Sequence, residues 1–315
     1  MGARLWLPLS ALLALVIALW LFQGLSGNTA FVLTLRAKKL AALALVAASV
    51  AIATVLFQTV AQNRILTPSI MGFDALYGLV QSLALATLGI SGFAALPAGP
   101  KFLIETALMA GLAAALFGML LGRARGADIG RTILSGVILG ILFRAGSVLV
   151  MRMLDPNANA VVQSVSFANF SRPSVETLSH AAGLAVPAMA LAFWLGPRLD
   201  VLALGRERAL SLGLPHRRLV VLTLGLVAVL TATATALVGP IAFFGLIVAG
   251  LAQSLAPGAR HRRLLALAAA LALVGLVGGQ WAFERVLGLK ATLSVVLECG
   301  GGLLFLILLM RGKIR

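Results

Sequence analysis

Apolar runs long enough to cross a lipid bilayer recur along the whole chain, and this repetition restricts the fold more than any other feature. Ten runs are predicted, at residues 5–22, 40–60, 72–90, 102–121, 129–151, 178–195, 219–238, 241–255, 264–283 and 293–310. One helical crossing takes about 20 apolar residues, whereas barrel strands alternate apolar and polar side chains. The sequence therefore predicts an all-α polytopic membrane protein forming one domain over residues 1–315.

Three features refine this plan. With 61% hydrophobic and 11% charged residues, the chain has no room for a separate soluble domain. The run at 241–255 is short and interrupted by glycine, so nine or ten spans are expected, and the first run is expected to remain as an uncleaved helix. The single cysteine, Cys299, excludes an internal disulfide and a cysteine-based metal site.

The distribution of basic residues predicts the orientation. With the N-terminus in the cytoplasm, 16 of the 25 Lys and Arg residues fall in inner segments and 8 in outer ones. Cytoplasmic loops are enriched in Lys and Arg, so both termini are expected in the cytoplasm. The net charge of +16 then reflects topology rather than nucleic-acid binding. The first outer loop, with Arg36 and Lys39, is unusually basic and requires another explanation.

Residues 199–215, LDVLALGRERALSLGLP, form an amphipathic inner segment that is too polar to cross the membrane; we call it the coupling segment. Gly205 and Gly213 are predicted to bracket one short helix. An apolar stripe and a charged group are predicted on it: Leu202, Leu204, Ala209 and Leu212 in the stripe, and Arg206, Glu207 and Arg208 facing water or a partner. Two interpretations stay open, a helix lying on the membrane surface and a docking site for a soluble cytoplasmic subunit.

Ionisable residues in or near the spans are costly to bury unpaired and are therefore functional candidates: Asp74, Glu105, Arg144, Glu284 and Glu298. Arg144 lies about two thirds of the way along its span, so it should face a partner, a subunit interface or a water-filled path. Gly136 and Gly140, four residues apart, indicate close helix packing.

The chain contains neither a G-x-x-x-x-G-K-[ST] phosphate loop nor an H-E-x-x-H zinc motif. Active transport would therefore draw its energy from another chain. Two other classes stay open. A secondary transporter would carry its coupling ion on Glu105, Glu284 or Glu298, and an intramembrane enzyme would need convergent catalytic groups.

Three ordered motifs resemble the ABC importer permeases of the iron-siderophore, haem and vitamin B12 family. They are QTVAQNRILTPSIMG at 58–72, LALGRERALSLGLP at 202–215, and GPIAFFGLIVAGLAQ at 239–253. The first has the family's Gln, Asn, Pro and Gly at Gln58, Asn63, Pro68 and Gly72. The second is similar to the family's cytoplasmic coupling helix. The resemblance runs from about residue 34 to the C-terminus.

Departures from the family pattern point to a subgroup. Arg64 stands where a proline usually follows the Asn, and Ala249-Gly250 stands where Pro-His is common. TPSIMGFDALY at 67–77 and MLDPNANAVVQSVSFANF at 153–170 resemble permeases for catecholate siderophores of the petrobactin and anguibactin kind.

The resemblance implies a type II ABC importer permease fold in the bacterial cytoplasmic membrane and a set of partners. These are ATPase subunits that bind ATP and Mg²⁺, a second permease (identical or not), an extracytoplasmic siderophore-binding protein and a ferric siderophore as substrate. No cofactor, metal or nucleic acid is expected on this chain. The implied docking residues for the binding protein are Arg36, Lys39 and Arg285. The implied path and gate residues are Gln58, Asn63, Pro68, Gly72, Asp74, Arg144, Phe167 and Phe170.

Overall fold

A computed structural model describes residues 2–25, 27–123, 129–165, 167–170, 174–286, 288 and 303. These residues form helices joined by short connections, with no strand among them. The helices are α1 Gly2–Phe22, α2 Thr29–Ala61, α3 Phe73–Ala95, α4 Ala98–Arg123, α5 Ile129–Met153, α6 Pro156–Val165, α7 Val175–Trp194, α8 Gly196–Leu202, α9 Arg206–Ser211, α10 His216–Val238, α11 Phe244–Leu255 and α12 His261–Trp281. A 3₁₀ turn, Pro68–Met71, precedes α3, and a π-helical turn, Ala282–Val286, follows α12.

Nine of the ten predicted runs coincide with helices in the described residues. The tenth, at 293–310 with Glu298 and Cys299, lies outside them except for residue 303. Six of the described helices are long and apolar enough to cross a membrane, and the apolar helices at Trp6–Phe22 and Phe244–Leu255 are shorter. The all-α polytopic prediction is confirmed, and the total of ten crossings stays a prediction.

The centre of the bundle is built from α2 and α10, which pack against each other and against α7. Alanines such as Ala47 and Ala51 on α2, and Ala228 and Ala232 on α10, are almost completely buried. Small side chains let helix backbones approach closely, which supplies packing in a solvent as apolar as lipid. Helices α2 and α10 therefore form the closely packed centre against which other helices of the bundle lie.

Helix α11 packs on α2 through a glycine. A Cβ atom at Gly245 would lie 2.1 Å from the Thr54 hydroxyl oxygen, so only glycine fits. That hydroxyl donates to the Val50 carbonyl one turn earlier at 2.7 Å, which satisfies it inside the apolar interior. The helix begins at Phe244 rather than at the predicted residue 241, because Phe243 adopts a left-handed backbone conformation at φ 59°.

A second packing group joins α3 to α5 and α6. The backbone of Gly72, at φ 90°, lies against Gly140, where an added Cβ would approach the Gly140 Cα to 2.5 Å. Gly136 faces the Met71 side chain in the same way. The predicted role of Gly136 and Gly140 in close packing is therefore observed, and their neighbour is the turn that starts α3.

We call the two ends of the bundle the inner end and the outer end, and define each by the elements that it carries. The inner end carries α8, α9, the C-terminus of α2 and the N-terminus of α12. The outer end carries the C-termini of α1 and α12, and the Asn169 amide donates there to the Val238 carbonyl at 2.6 Å. The sequence predicts that the inner end faces the cytoplasm.

Candidate functional site

The coupling segment forms the surface of the inner end. Helix α9 lies between Gly205, at φ 91°, and Gly213, at φ 76°. The Gly213 amide donates to the Leu210 carbonyl and the Leu214 amide to the Ala209 carbonyl, at 2.9 and 3.0 Å. This pair of bonds is the Schellman arrangement that ends a helix with a left-handed residue. The predicted short helix and its two bracketing glycines are present.

The predicted apolar stripe is wrong in two of its four members. Leu202 and Ala209 are buried, whereas Leu204 is 48% exposed and Leu212 is 64% exposed. The four residues do not lie on one helix: Leu202 ends α8, Leu204 lies in the turn before α9, and Leu212 is the C-cap of α9. Exposed leucines therefore lie beside the exposed charges of Arg206, Glu207 and Arg208, a mixed surface suited to a protein partner.

The three sequence motifs, which are far apart along the chain, meet behind this surface. The Gln253 amide, at the end of the third motif, donates to the Gln58 Oε1 atom of the first motif at 2.8 Å. The Gln62 amide of the first motif donates to the Leu202 carbonyl of the second at 3.3 Å. Gln58 also donates to the Arg64 carbonyl at 2.6 Å. The end of α8, the end of α2 and α11 are therefore linked by direct hydrogen bonds.

A cleft of about 310 Å³ opens at this junction, lined by residues that include Gln58, Asn63, Arg64 and Gln253. Asn63 is exposed, and its Oδ1 atom accepts the Ile65 amide at 2.9 Å, which shapes the turn after α2. Of the predicted path residues, Gln58 and Asn63 are brought together here.

Asp200, His261 and Thr59 are inner-end residues that the sequence analysis did not identify. The His261 ring lies between the other two, at 2.7 Å from the Asp200 carboxylate and 2.9 Å from the Thr59 hydroxyl. His261 lies 61 positions from Asp200 and 202 from Thr59, so this proximity arises only in three dimensions. The available signal was Asp200 itself, an acidic residue in a largely basic inner segment.

Pro68 and Asp74 line a different and much smaller cavity, of about 20 Å³, between α2, α10 and the segment 239–243 that joins α10 to α11. Threonines and serines dominate its polar lining, among them Thr54, Thr231 and Thr235. Gly72 lies next to this region but faces α5. Three predicted path residues therefore occupy the start of α3, away from the inner cleft.

Arg144 and the two predicted phenylalanines lie elsewhere. Arg144 is exposed on α5, on a face with exposed apolar side chains such as Ile141, Leu142 and Val148. Phe167 is 41% exposed and Phe170 is buried, both beside the outer end of α10. An arginine on an apolar helix face needs a partner or water, so this face is suited to a second subunit or a path.

Arg36, a predicted docking residue, is turned inward at the outer end. It is 8% exposed, and its guanidinium donates to the carbonyls of Leu21, Gln23 and Gly24 at 2.6, 2.9 and 3.2 Å. The last carbonyls of a helix lack partners, and a cation there is favourable. Arg36 therefore stabilises the C-terminus of α1, and its role in docking stays a prediction.

Lys39 forms an ion pair with Glu284 and lies 5.5 Å from the centroid of the Trp20 ring. Glu284 also accepts the Gln280 amide at 2.6 Å. Arg285 is exposed, and its guanidinium lies beside Gly24. The three predicted docking residues are therefore close together at the outer end, with Arg285 the most accessible.

Glu105 is buried between α3 and α4. Its carboxylate accepts the Gln81 amide at 2.7 Å and lies 3.9 Å from the Lys101 ammonium group. Lys101 in turn lies over the Phe93 ring, 3.6 Å from its centroid. With these partners, the Glu105 carboxylate stabilises the packing of α3 against α4 and is not positioned as a site for a transported ion.

The fold and the inner-end site define a polytopic helical membrane protein with an exposed surface of leucines and charged residues at one end. The chain belongs to the FecCD transport family, whose model matches residues 5–311. It is accordingly a multi-pass transport component.

Named relatives span most of the chain. It is 36% identical over 295 residues to the petrobactin import system permease protein YclO of Bacillus subtilis, covering 94% of this chain and 93% of the relative. It is 28% identical over 288 residues to the petrobactin permease FatC of Bacillus anthracis, covering 91% and 81%. It is 29% identical over 314 residues to the vitamin B12 permease BtuC of Vibrio cholerae, covering 98% and 92%.

A solved structure has the same fold. A chain of a metal-chelate type ABC transporter in an inward-facing conformation superimposes with a TM-score of 0.82, covering 96% of this chain and 97% of that chain at 21% identity. The type II importer permease fold expected from the sequence is therefore supported at the level of architecture.

Proposed function

We propose that this chain is the permease subunit of an ATP-driven importer that carries a ferric siderophore across the bacterial cytoplasmic membrane. The observation that carries the proposal is the convergence of the three family motifs behind an exposed coupling surface. Two relatives named as petrobactin permeases support a catecholate-type chelate as the substrate class. Iron arrives inside its chelator and is substrate, so the chain needs no metal ligands of its own.

The energy comes from partner ATPases that dock on α9. Their contact would use the exposed leucines at 204, 210 and 212 together with the charges of Arg206, Glu207 and Arg208. Nucleotide and Mg²⁺ are bound on those subunits, and this chain supplies no ATPase residue. With α9 on the cytoplasmic side, both termini of the chain lie in the cytoplasm.

A second permease, identical or not, would cover the α5 face that bears Arg144. The translocation path then lies between two chains, with Phe167 and Phe170 towards its outer mouth and Gln58 and Asn63 towards its inner mouth. Ferric catecholates are anionic, so the Arg144 guanidinium attracts the substrate, whereas the Asp74 carboxylate disfavours its retention near the start of α3.

The contacts disfavour a secondary transporter. Of its three candidate ion carriers, Glu105 and Glu284 already have hydrogen-bond and ion-pair partners within the chain. Coupling-ion sites are typically formed at discontinuous helices, whereas Glu105 lies within the single helix α4.

The test is capture of a candidate ATPase from the same cell by the native chain, compared with a variant in which residues 202–212 are scrambled. We expect capture by the native chain alone. Uptake of iron-loaded chelate into proteoliposomes should then require ATP and persist with a protonophore. Uptake that a protonophore abolishes and ATP does not affect would contradict the importer and favour the secondary transporter.

Charge exchange at the outer end tests docking of the binding protein. Lys39→Glu is expected to weaken docking about tenfold at low salt, with less effect at high salt because salt screens the attraction between the outer end and the charges of the binding protein. The matched control is Lys39→Glu combined with Glu284→Lys, which restores the ion pair in reverse. If position 39 docks the partner, the double variant regains thermal stability but not affinity. Restored affinity would assign Lys39 a purely structural role.

A further inference from the structure

One histidine side chain joins three helices at the inner end. The Asp200 carboxylate, in α8, accepts from His261 at the N-terminus of α12, and the other ring nitrogen of His261 contacts the Thr59 hydroxyl of α2 at 2.9 Å. We call Asp200, His261 and Thr59 the His261 bridge. His261 is 7% exposed, so water does not compete freely for these bonds.

Asp200 also provides the N-terminal cap of α12. Its Oδ1 atom accepts the His261 backbone amide at 2.7 Å, whereas Arg260, in the N-cap position, makes no side-chain cap bond. A carboxylate at a helix N-terminus is stabilising because the unpaired amides there carry partial positive charge. A residue five positions before Gly205 thus fixes both the backbone and the side chain of His261.

The His261 ring can link α12 to α2 whether it is neutral or doubly protonated. The Thr59 hydroxyl has one proton and lies 2.8 Å from the Val55 carbonyl as well as near the ring. A neutral ring accepts that proton, whereas a doubly protonated ring donates to the Thr59 oxygen and leaves the proton for Val55. The link between α12 and α2 is made in both cases.

A second contact acts in parallel with the bridge. The Gln62 side chain, at the C-cap of α2, donates to the Leu202 carbonyl at the end of α8. The coupling segment is therefore attached to the last turn of α2 at two points in α8, through Asp200 and through Leu202, just before α9 begins. That turn also carries Gln58, which is bonded to Gln253 of α11 across the wall of the inner cleft.

We propose that the His261 bridge transmits displacement of the coupling segment to the inner ends of α2 and α12, so that ATPase movement changes the Gln58–Gln253 contact at the inner cleft. His261 is a positioning residue, since it acts through α2 and α12. The inference rests on the proposed importer function and names the connection by which the docking surface controls the cleft. Because α2 and α12 are both bonded to the coupling segment, displacement of that segment moves the two helices together.

The test is the amount of chelate imported per ATP hydrolysed by the reconstituted importer with its ATPase and partner permease. His261→Ala removes the ring but retains the backbone amide, and therefore the α12 cap. We expect import per ATP to fall about tenfold, while the ATPase rate and the melting temperature stay close to those of the native complex. Thr59→Val, which removes only the hydroxyl, should act in the same direction.

Conservative and distant variants serve as controls. Asp200→Asn retains an acceptor oxygen for both bonds and should preserve coupling, whereas Asp200→Ala should not. Asp155→Ala removes an outer-end carboxylate that likewise accepts two backbone amides, at 2.9 and 3.0 Å, and should leave import per ATP unchanged. Thr87→Val, whose hydroxyl bonds only its own helix, is the control for Thr59→Val.

The possible results of these experiments distinguish failure of the His261 bridge from failure of the proposed function. If the native complex neither holds an ATPase nor imports chelate, the proposed function fails. If the native complex imports chelate but His261→Ala and Thr59→Val hydrolyse and import in native proportion, the bridge does not transmit. Equal losses of import, hydrolysis and melting temperature would assign the bridge to stability alone and would also overturn the inference.

Discussion

Gly72→Ala is expected to cause the largest loss of stability of any single methyl addition considered for this chain. The added Cβ would lie 2.5 Å from the Gly140 Cα and 2.9 Å from its amide nitrogen, and neither backbone atom can rotate away. The φ of 90° adds backbone strain for any residue with a side chain. Together these terms cost about 3 kcal/mol or more, which for a chain of this length lowers the melting temperature by about 4–5 °C or more.

A graded series makes this prediction specific. The Cβ of Gly140→Ala would lie 2.9 Å from the Gly72 backbone. The Cβ of Gly136→Ala would lie at the same distance from the Met71 side chain, which is flexible, so Gly136→Ala should lose less stability than Gly140→Ala. Gly183→Ala meets nothing within 4 Å and should be neutral, or stabilising by up to about 1 kcal/mol through helix propensity. Thermal unfolding of the purified chain in detergent measures the order. Equal stability across the four variants would show that α3 does not start against α5.

Gly213→Val is expected to uncouple ATP hydrolysis from import while leaving expression intact. Space is not the cause, since a Cβ there meets nothing within 4 Å. The cause is the φ of 76°, which a β-branched residue tolerates poorly and which costs about 1–3 kcal/mol locally. Loss of the turn after α9 moves the docking surface, and import per ATP should fall about tenfold.

Three variants with matched backbone geometry check the cause. Gly27→Val has φ 74° and open space at the outer end, so it should leave coupling unchanged. Gly213→Asn should retain most activity because Asn accepts the left-handed region. Gly205 has φ 91° and ψ 166°, a region open almost only to glycine, so Gly205→Asn should fail where Gly213→Asn succeeds. Native import per ATP by Gly213→Val would contradict the assignment of α9 as the coupling helix.

The helices were predictable because their signal is local. An apolar run of membrane length must form its backbone hydrogen bonds internally, so nine runs in the described residues are helices. Their ends shift by a few residues, except that α2 begins at Thr29, eleven residues before the predicted start of its run. The two glycines around α9 were predictable for the same reason, since glycine is the residue that adopts their backbone angles readily. The exposure of Leu204 and Leu212 was not predictable, because it depends on which side of α9 packs against α8 and α10 in the folded chain.

The sequence by itself determined the membrane-spanning helices, the position of the coupling segment and the family motifs, because each depends on residues close together in the chain. Only the tertiary structure decided which side chains meet. Lys39 pairs with Glu284 across 245 positions, and Asp200 binds His261 across 61. Such pairs depend on which helices are neighbours and how each is rotated about its axis. That arrangement is set by packing over the whole bundle, so no local pattern of residues records it.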